Sequence, residues 1–131
     1  MSRRARALSV AVLVAALAGC GDWEDVIDQD QLRDCLAGEG LSLEAAGDTT
    51  SAVLGNVSPD FRALFPDGAA VDFVVEGTEE KARRKAADVR GALQSFGVTT
   101  KDRLLTQRNA VAVFERAPSP EDRARVAGCL D

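Results

Sequence analysis

The chain has 131 residues, of which 16 are basic and 21 acidic, for a formal net charge of −5. It contains no histidine and no tyrosine, which excludes Ser-His-Asp and Cys-His catalysis, histidine-ligated zinc and the usual general base at neutral pH. The acidic balance also argues against nucleic acid as a partner, because phosphate backbones repel negative charge.

The first nineteen residues have the layout of a secretory signal. Arg3, Arg4 and Arg6 form a basic segment, and the apolar run from Leu8 to Ala18 follows it. That run has about half of the roughly 20 residues that a membrane-spanning helix needs. We therefore expect a removable signal rather than a permanent transmembrane anchor. The alternatives are an ordinary signal peptide cut nearby, with Cys20 free or paired, and a plain apolar N-terminal helix.

The motif Leu17-Ala18-Gly19-Cys20 resembles the lipobox of bacterial lipoproteins, and the chain as a whole resembles small lipoproteins of high-GC bacteria. The resemblance implies that residues 1–19 are removed and that acyl chains such as palmitate are attached to Cys20. Residues 20–29 then form the lipidated cysteine and an acidic tether, and residues 30–131 a single globular domain. The protein would be held on the extracytoplasmic face of a cell membrane, in the cell envelope. The resemblance implies no particular activity.

Two further cysteines are present. Cys35 and Cys129 form an even pair in a chain that we expect to be exported, so we predict a disulfide between them. Each precedes a leucine near the end of a predicted helix, and the bridge would join the two ends of the domain. Two buried free thiols are the alternative.

The first half of the domain is predicted to contain short elements. The spacing of Leu32, Cys35 and Leu36 predicts a helix over about residues 30–37. Alternating leucines predict a weak strand at 41–43, followed by a loop through 48–51. Residues 58–65 (SPDFRALF) predict a short helix that is capped by a serine and has proline at its first position.

The second half carries clearer patterns. A turn at 66–68 leads into a strand around 71–75, and a long helix over 78–96 follows, capped by Thr78. Two strands at 98–107 and 110–116 are predicted to form a hairpin, and a last helix is predicted to begin at Ser119 and Pro120.

These elements predict an α+β fold. The expected architecture is a small two-layer sandwich, in which a three- to four-stranded sheet carries its helices on one face. The strands before and after the long helix are expected to pair in parallel.

Few residues suggest chemistry. Asp28 and Asp30 lack the remaining ligands of a calcium loop, and we predict a helix N-cap there instead. The basic run at 81–85 is interpreted as a solvated helix face, with a patch for an acidic partner as the alternative. Asp72 has no visible carboxylate partner for acid–base work.

The sequence therefore favours a non-enzymatic interaction or accessory module that binds an unknown envelope protein. No catalytic, cofactor or metal site is predicted. The alternative is a domain that binds a small ligand in a pocket lined by Phe61, Phe65 and Phe73. A pocket of that kind would favour the ligand, and a flat exposed apolar patch would favour the protein partner.

Overall fold

The computed structural model describes residues 26–45 and 57–131. Along the chain these residues form α1 (Gln29–Gly38), β1 (Ser42–Ala45), β2 (Phe61–Leu64), β3 (Ala70–Val75), α2 (Glu79–Ser95), β4 (Leu104–Gln107), β5 (Ala110–Phe114) and α3 (Pro120–Leu130). The expected signal, Cys20, most of the tether and the loop at 48–51 lie outside the described residues.

The five strands form one sheet in the order β1-β2-β3-β5-β4, and every neighbouring pair is antiparallel. The α+β class is thereby confirmed, with more strands than the three to four expected. β5 is buried on both of its faces, as its uninterrupted apolar sequence requires of an inner strand.

One face of the sheet, called here the aromatic face, is covered by α1 and α3. Phe61 and Phe73 on neighbouring strands stack with ring centroids 4.9 Å apart. The helices bury four aliphatic side chains against these rings and Phe114: Leu32, Leu36, Val126 and Leu130. Because side chains alternate along a strand, every second residue of β2, β3 and β5 contributes to this core.

The opposite face, called here the small-residue face, is covered by α2. Ala82, Ala86, Val89 and Leu93 of α2 pack against valines of β3 and β5. The sequence analysis expected all helices on one face, and that detail is wrong. β5 is apolar on both sides and β3 is buried on both, so these strands need cover on both faces.

The segment at 58–65 is a strand and not the predicted short helix. Phe61, Ala63 and Phe65 are all buried, and their spacing of two is that of a strand. Pairing with both β1 and β3 satisfies the backbone groups of this segment better than a single helical turn would. The predicted turn at 66–68 is confirmed, with Gly68 at φ +88°.

The expected parallel pairing around the long helix is also wrong. β3 and β4 run in the same direction, but β5 lies between them and is antiparallel to both. The hairpin between β4 and β5 is confirmed, and Arg108 in its turn has φ +53°. The strand before that turn begins only at Leu104, because residues 98–103 form a loop that ends in a turn at 101–103.

The predicted helix starts are confirmed. The side chains of Asp28, Thr78 and Ser119 each accept a hydrogen bond from the backbone N–H three residues ahead. Such bonds satisfy donors that the first turn of a helix leaves without partners.

Candidate binding groove at the β4 edge

Strand β4 forms one edge of the sheet, and β5 is its only paired neighbour among the described residues. The amide of Phe114 donates to the carbonyl of Arg103 over 2.8 Å. Bonded and non-bonded pairs alternate along an antiparallel ladder, so Leu105 and Gln107 are the residues of β4 that bond to β5.

The alternate residues of β4, Leu104 and Thr106, direct backbone groups away from β5. The amide and the carbonyl of Thr106 point away from β5 toward the open edge, by the same alternation. The amide of Leu104 donates to the carbonyl of Thr100 over 3.1 Å, which leaves the Leu104 carbonyl facing the edge. One amide and two carbonyls of β4 are thus directed outward.

Two adjoining cavities flank this edge, and together they are called the β4 groove. A cavity of about 340 Å³ lies between α2 and the end of β4, and one of about 330 Å³ lies at its beginning. Arg90 of α2 and Thr106 line both cavities, while Lys101 and Arg123 of α3 line the second. The groove therefore runs along β4 with a helix on each side.

Cationic side chains dominate the groove although the chain as a whole is acidic. Arg90, Lys101 and Arg123 form no ion pair with any carboxylate in residues 26–45 and 57–131. The one carboxylate that lines the groove, Glu79, already pairs with Arg83 over 3.2 Å. The charge of these three side chains is therefore available to an anionic group from outside.

Two polar atoms at the groove are buried without a hydrogen-bond partner among the described residues. They are Oγ1 of Thr106 and Nη1 of Arg123. Buried polar atoms are almost always hydrogen-bonded, and one that is not calls for a specific explanation. Both atoms belong to side chains that line the same cavity.

One end of the groove adjoins a clamp on the N-terminal segment. Asn109, in the β4–β5 turn, is 2% exposed. Its Oδ1 accepts from the amide of Ile27 over 2.5 Å, and its Nδ2 donates to the carbonyls of Ile27 and Glu76. The start of the domain is thereby fixed beside Arg108, which lines the groove.

The predicted cysteine pair is brought together. The structure joins Cys35 of α1 to Cys129 of α3 through a disulfide, with Cα atoms 5.7 Å apart. Cys20 lies outside the described residues, so its predicted lipidation stays a prediction.

Asp72 has a partner that the sequence analysis did not identify. Nε of Arg62, on the neighbouring strand, donates to Oδ1 of Asp72 over 2.8 Å, and Nη2 donates to Oδ2 over 3.2 Å. This hydrogen bonding raises the pKa of Arg62 above its ordinary value. An arginine held in two-point contact keeps the carboxylate in a structural role.

The three phenylalanines proposed to line a ligand pocket belong to the core. Phe61 and Phe73 have no exposed surface and Phe65 has 5%. A flat apolar patch is not found on the described residues either, since the large apolar side chains exposed there are Val26 and Phe96. The described residues therefore show neither the phenylalanine-lined pocket that would favour a small ligand nor the flat apolar patch that would favour a protein partner.

The basic run at 81–85 on α2 lies partly on the solvated helix face and partly at the groove. Arg84 pairs with Glu80 over 2.6 Å on the exposed helix face, as predicted. Arg83 also pairs as predicted, but it lines the β4 groove together with Arg90, which lies about two turns further along α2. Five residues of the groove and its adjoining clamp were not predicted as site residues, because the order of the strands decides which residues meet at an edge. They are Arg90, Lys101, Thr106, Asn109 and Arg123.

The site thus belongs to an α+β domain with a five-stranded antiparallel sheet. Comparisons with known protein families, with curated proteins and with solved structures found no match. Within residues 26–45 and 57–131, no helix is long and apolar enough to cross a membrane.

Proposed function

We propose that this protein is a lipid-anchored domain on the extracytoplasmic face of a cell membrane, where it acts as a non-enzymatic interaction module. The observation that carries the interaction role is the β4 groove, in which three cations without an ion pair among the described residues flank a strand edge that no described strand covers. The anchor is supported by Leu17-Ala18-Gly19-Cys20 after a basic and apolar segment.

The disulfide supports the same location. Disulfides form and persist in oxidising compartments outside the cytoplasm. The bridge closes a sequence separation of 94 residues, and a loop of that size is worth about 4–5 kcal/mol in the chain-entropy account. A domain stapled in this way is suited to an exposed position on the envelope.

The non-enzymatic role is supported by the chemistry of the side chains. The chain contains no histidine, the residue that most often serves as a general acid or base. The buried carboxylate of Asp72 is engaged by Arg62. Binding is therefore the activity that the groove supports best.

The clamp on Ile27 relates the groove to the anchor. Ile27 lies seven positions after Cys20, and a chain of that length spans at most about 25 Å when fully extended. A lipid on Cys20 would therefore hold Asn109, and with it one end of the β4 groove, close to the membrane surface. A partner of the groove is expected to be membrane-associated as well.

The test is the intact mass of the protein from the membrane fraction, recorded without reduction after treatment with a thiol-alkylating reagent. We expect a chain that starts at Cys20, carries lipid and takes up no alkyl group. A Cys20→Ala variant is the control, and it should lose both the lipid and the cleavage. An unlipidated native chain would contradict the anchor, and two alkylated thiols would contradict the disulfide.

A further inference from the structure

We infer that the β4 groove binds an extended acidic segment of a partner protein, which adds a sixth strand beside β4 and places two consecutive acidic residues against Arg90 and Arg123. This inference rests on the proposed function, because it names the site and the chemistry of the partner of that interaction module.

The backbone of β4 supplies the template. The amide and carbonyl of Thr106 and the carbonyl of Leu104 face the open edge. An incoming strand bonds to such groups through its own main chain, whatever its side chains are. The hydrogen bonds fix the register of the added strand relative to Thr106.

The two flanking helices supply the specificity. Arg90 belongs to α2, on the small-residue face, and Arg123 belongs to α3, on the aromatic face. Successive side chains of a strand point to opposite faces of its sheet. One acidic residue of the added strand therefore points toward Arg90, and only its immediate neighbour in sequence points toward Arg123.

The unpartnered atoms favour a ligand over a purely protective role. Charged residues often line an edge strand to prevent unwanted pairing, and exposed, solvated side chains serve that purpose. Here Nη1 of Arg123 and Oγ1 of Thr106 are buried and have no partner among the described residues. A carboxylate that enters the groove and displaces the atoms covering Nη1 would satisfy the guanidinium in the geometry that arginine prefers.

The test is a titration of the protein, isotope-labelled and purified in neutral detergent, with the capped hexapeptide TVEEVT at low ionic strength. We expect the amide resonance of Thr106 to shift, together with the side-chain resonances of Arg90 and Arg123. The isomer TEVEVT has the same composition but carries both acids on one face, and TVQQVT carries none. Both are expected to bind at least tenfold more weakly.

Variants locate the site. The double change Arg90→Gln and Arg123→Gln is expected to weaken TVEEVT at least tenfold. The control is Arg84→Gln with Arg116→Gln, which removes the same charge from two exposed ion pairs outside the groove and should leave binding within twofold. Thr106→Val keeps the shape of the side chain and serves as a second variant if the double change alters the spectrum of the whole domain.

Three results would overturn the inference. They are equal binding of TVEEVT and TEVEVT, equal binding by the groove and control variants, and a shift of the same resonances by phosphatidylglycerol vesicles but not by TVEEVT. The last result would make the groove a headgroup site. A failure of this inference is distinguishable from a failure of the proposed anchor. An unlipidated chain that still binds TVEEVT would contradict the lipid anchor but support binding in the groove.

Discussion

The aromatic face and the small-residue face of the sheet are both buried, but they are built differently. On the aromatic face, stacked rings fill the space beneath two helices, and a disulfide joins those helices. On the small-residue face, a single helix lies against valines through alanines and has no covalent link. The aromatic face is held by large rings and a disulfide, whereas the small-residue face depends on close packing of α2 against the sheet.

This difference bears on the geometry of the candidate groove. α2 approaches the sheet through Ala82 and Ala86, both buried, so the flank of the helix comes near the β4 edge. Arg90 on that flank is thereby placed in the groove. The small residues of α2 set the distance between this helix and the β4 edge. One of them, Ala86, also lines the groove.

The largest expected effect is on the aromatic face. Replacing both Cys35 and Cys129 with alanine should lower the free energy of unfolding by about 2–5 kcal/mol, because the unfolded chain regains the freedom that the bridge removes. Urea denaturation of the oxidised protein and of this variant measures the difference. A loss below 1 kcal/mol would mean that the bridge contributes little to holding α1 and α3 together.

The small-residue face should be sensitive to added volume. Ala86→Leu is expected to cost about 1–3 kcal/mol, because extra methylene groups cannot be accommodated where α2 meets the sheet. Ala87→Leu, on the exposed side of the same helix, is the matched control and should change stability by less than about 0.5 kcal/mol. Equal effects of the two changes would show that α2 does not pack as closely as described.

The sequence predicts the parts of this fold that depend on contacts between residues close together in the chain. The caps at Thr78 and Ser119 and the turn at 66–68 are correctly predicted because their hydrogen bonds join residues within one turn. The stretch 58–65 was assigned to a helix because an eight-residue apolar pattern fits both periods. Only its two neighbouring strands decide for β2.

The candidate site was beyond sequence reasoning for a related reason. Arg90, Thr106 and Arg123 lie on three elements whose meeting depends on β5 being inserted between β3 and β4. The sequence analysis placed β3 and β4 side by side, which would have buried the edge that is now open. Asn109 was correctly placed in a turn, but its bonds to Ile27 span 82 positions and leave no local pattern.

The clamp at Asn109 joins the β4–β5 turn to Ile27 and Glu76, and its loss should be felt mainly at Ile27. Asn109→Ala leaves the amide and carbonyl of Ile27 and the carbonyl of Glu76 without this partner. We expect a cost of about 1–2 kcal/mol, since buried groups lose their hydrogen bonds. Hydrogen exchange at Ile27 should accelerate more than exchange in β3.

A second variant is Asn109→Asp, which keeps an acceptor for the amide of Ile27 but turns a buried carboxylate toward the carbonyls of Ile27 and Glu76. It should destabilise the domain at least as much as alanine does, because a buried charge without a partner is costly. If both variants leave exchange at Ile27 unchanged, the N-terminal segment is held by other contacts, and a lipid on Cys20 would not hold the groove near the membrane through Asn109.

The smallest effect expected is at the start of α2. Thr78 accepts a hydrogen bond from the amide of Lys81 over 3.2 Å, and Thr78→Ala should cost about 1 kcal/mol. Because no covalent link holds α2, this loss should appear as faster hydrogen exchange along the first turn of the helix and as a lower midpoint in urea. Thr78→Ser retains a capping hydroxyl and should recover most of the difference. If serine and alanine behave alike, the cap contributes nothing, and packing of the small residues alone holds α2 on the sheet.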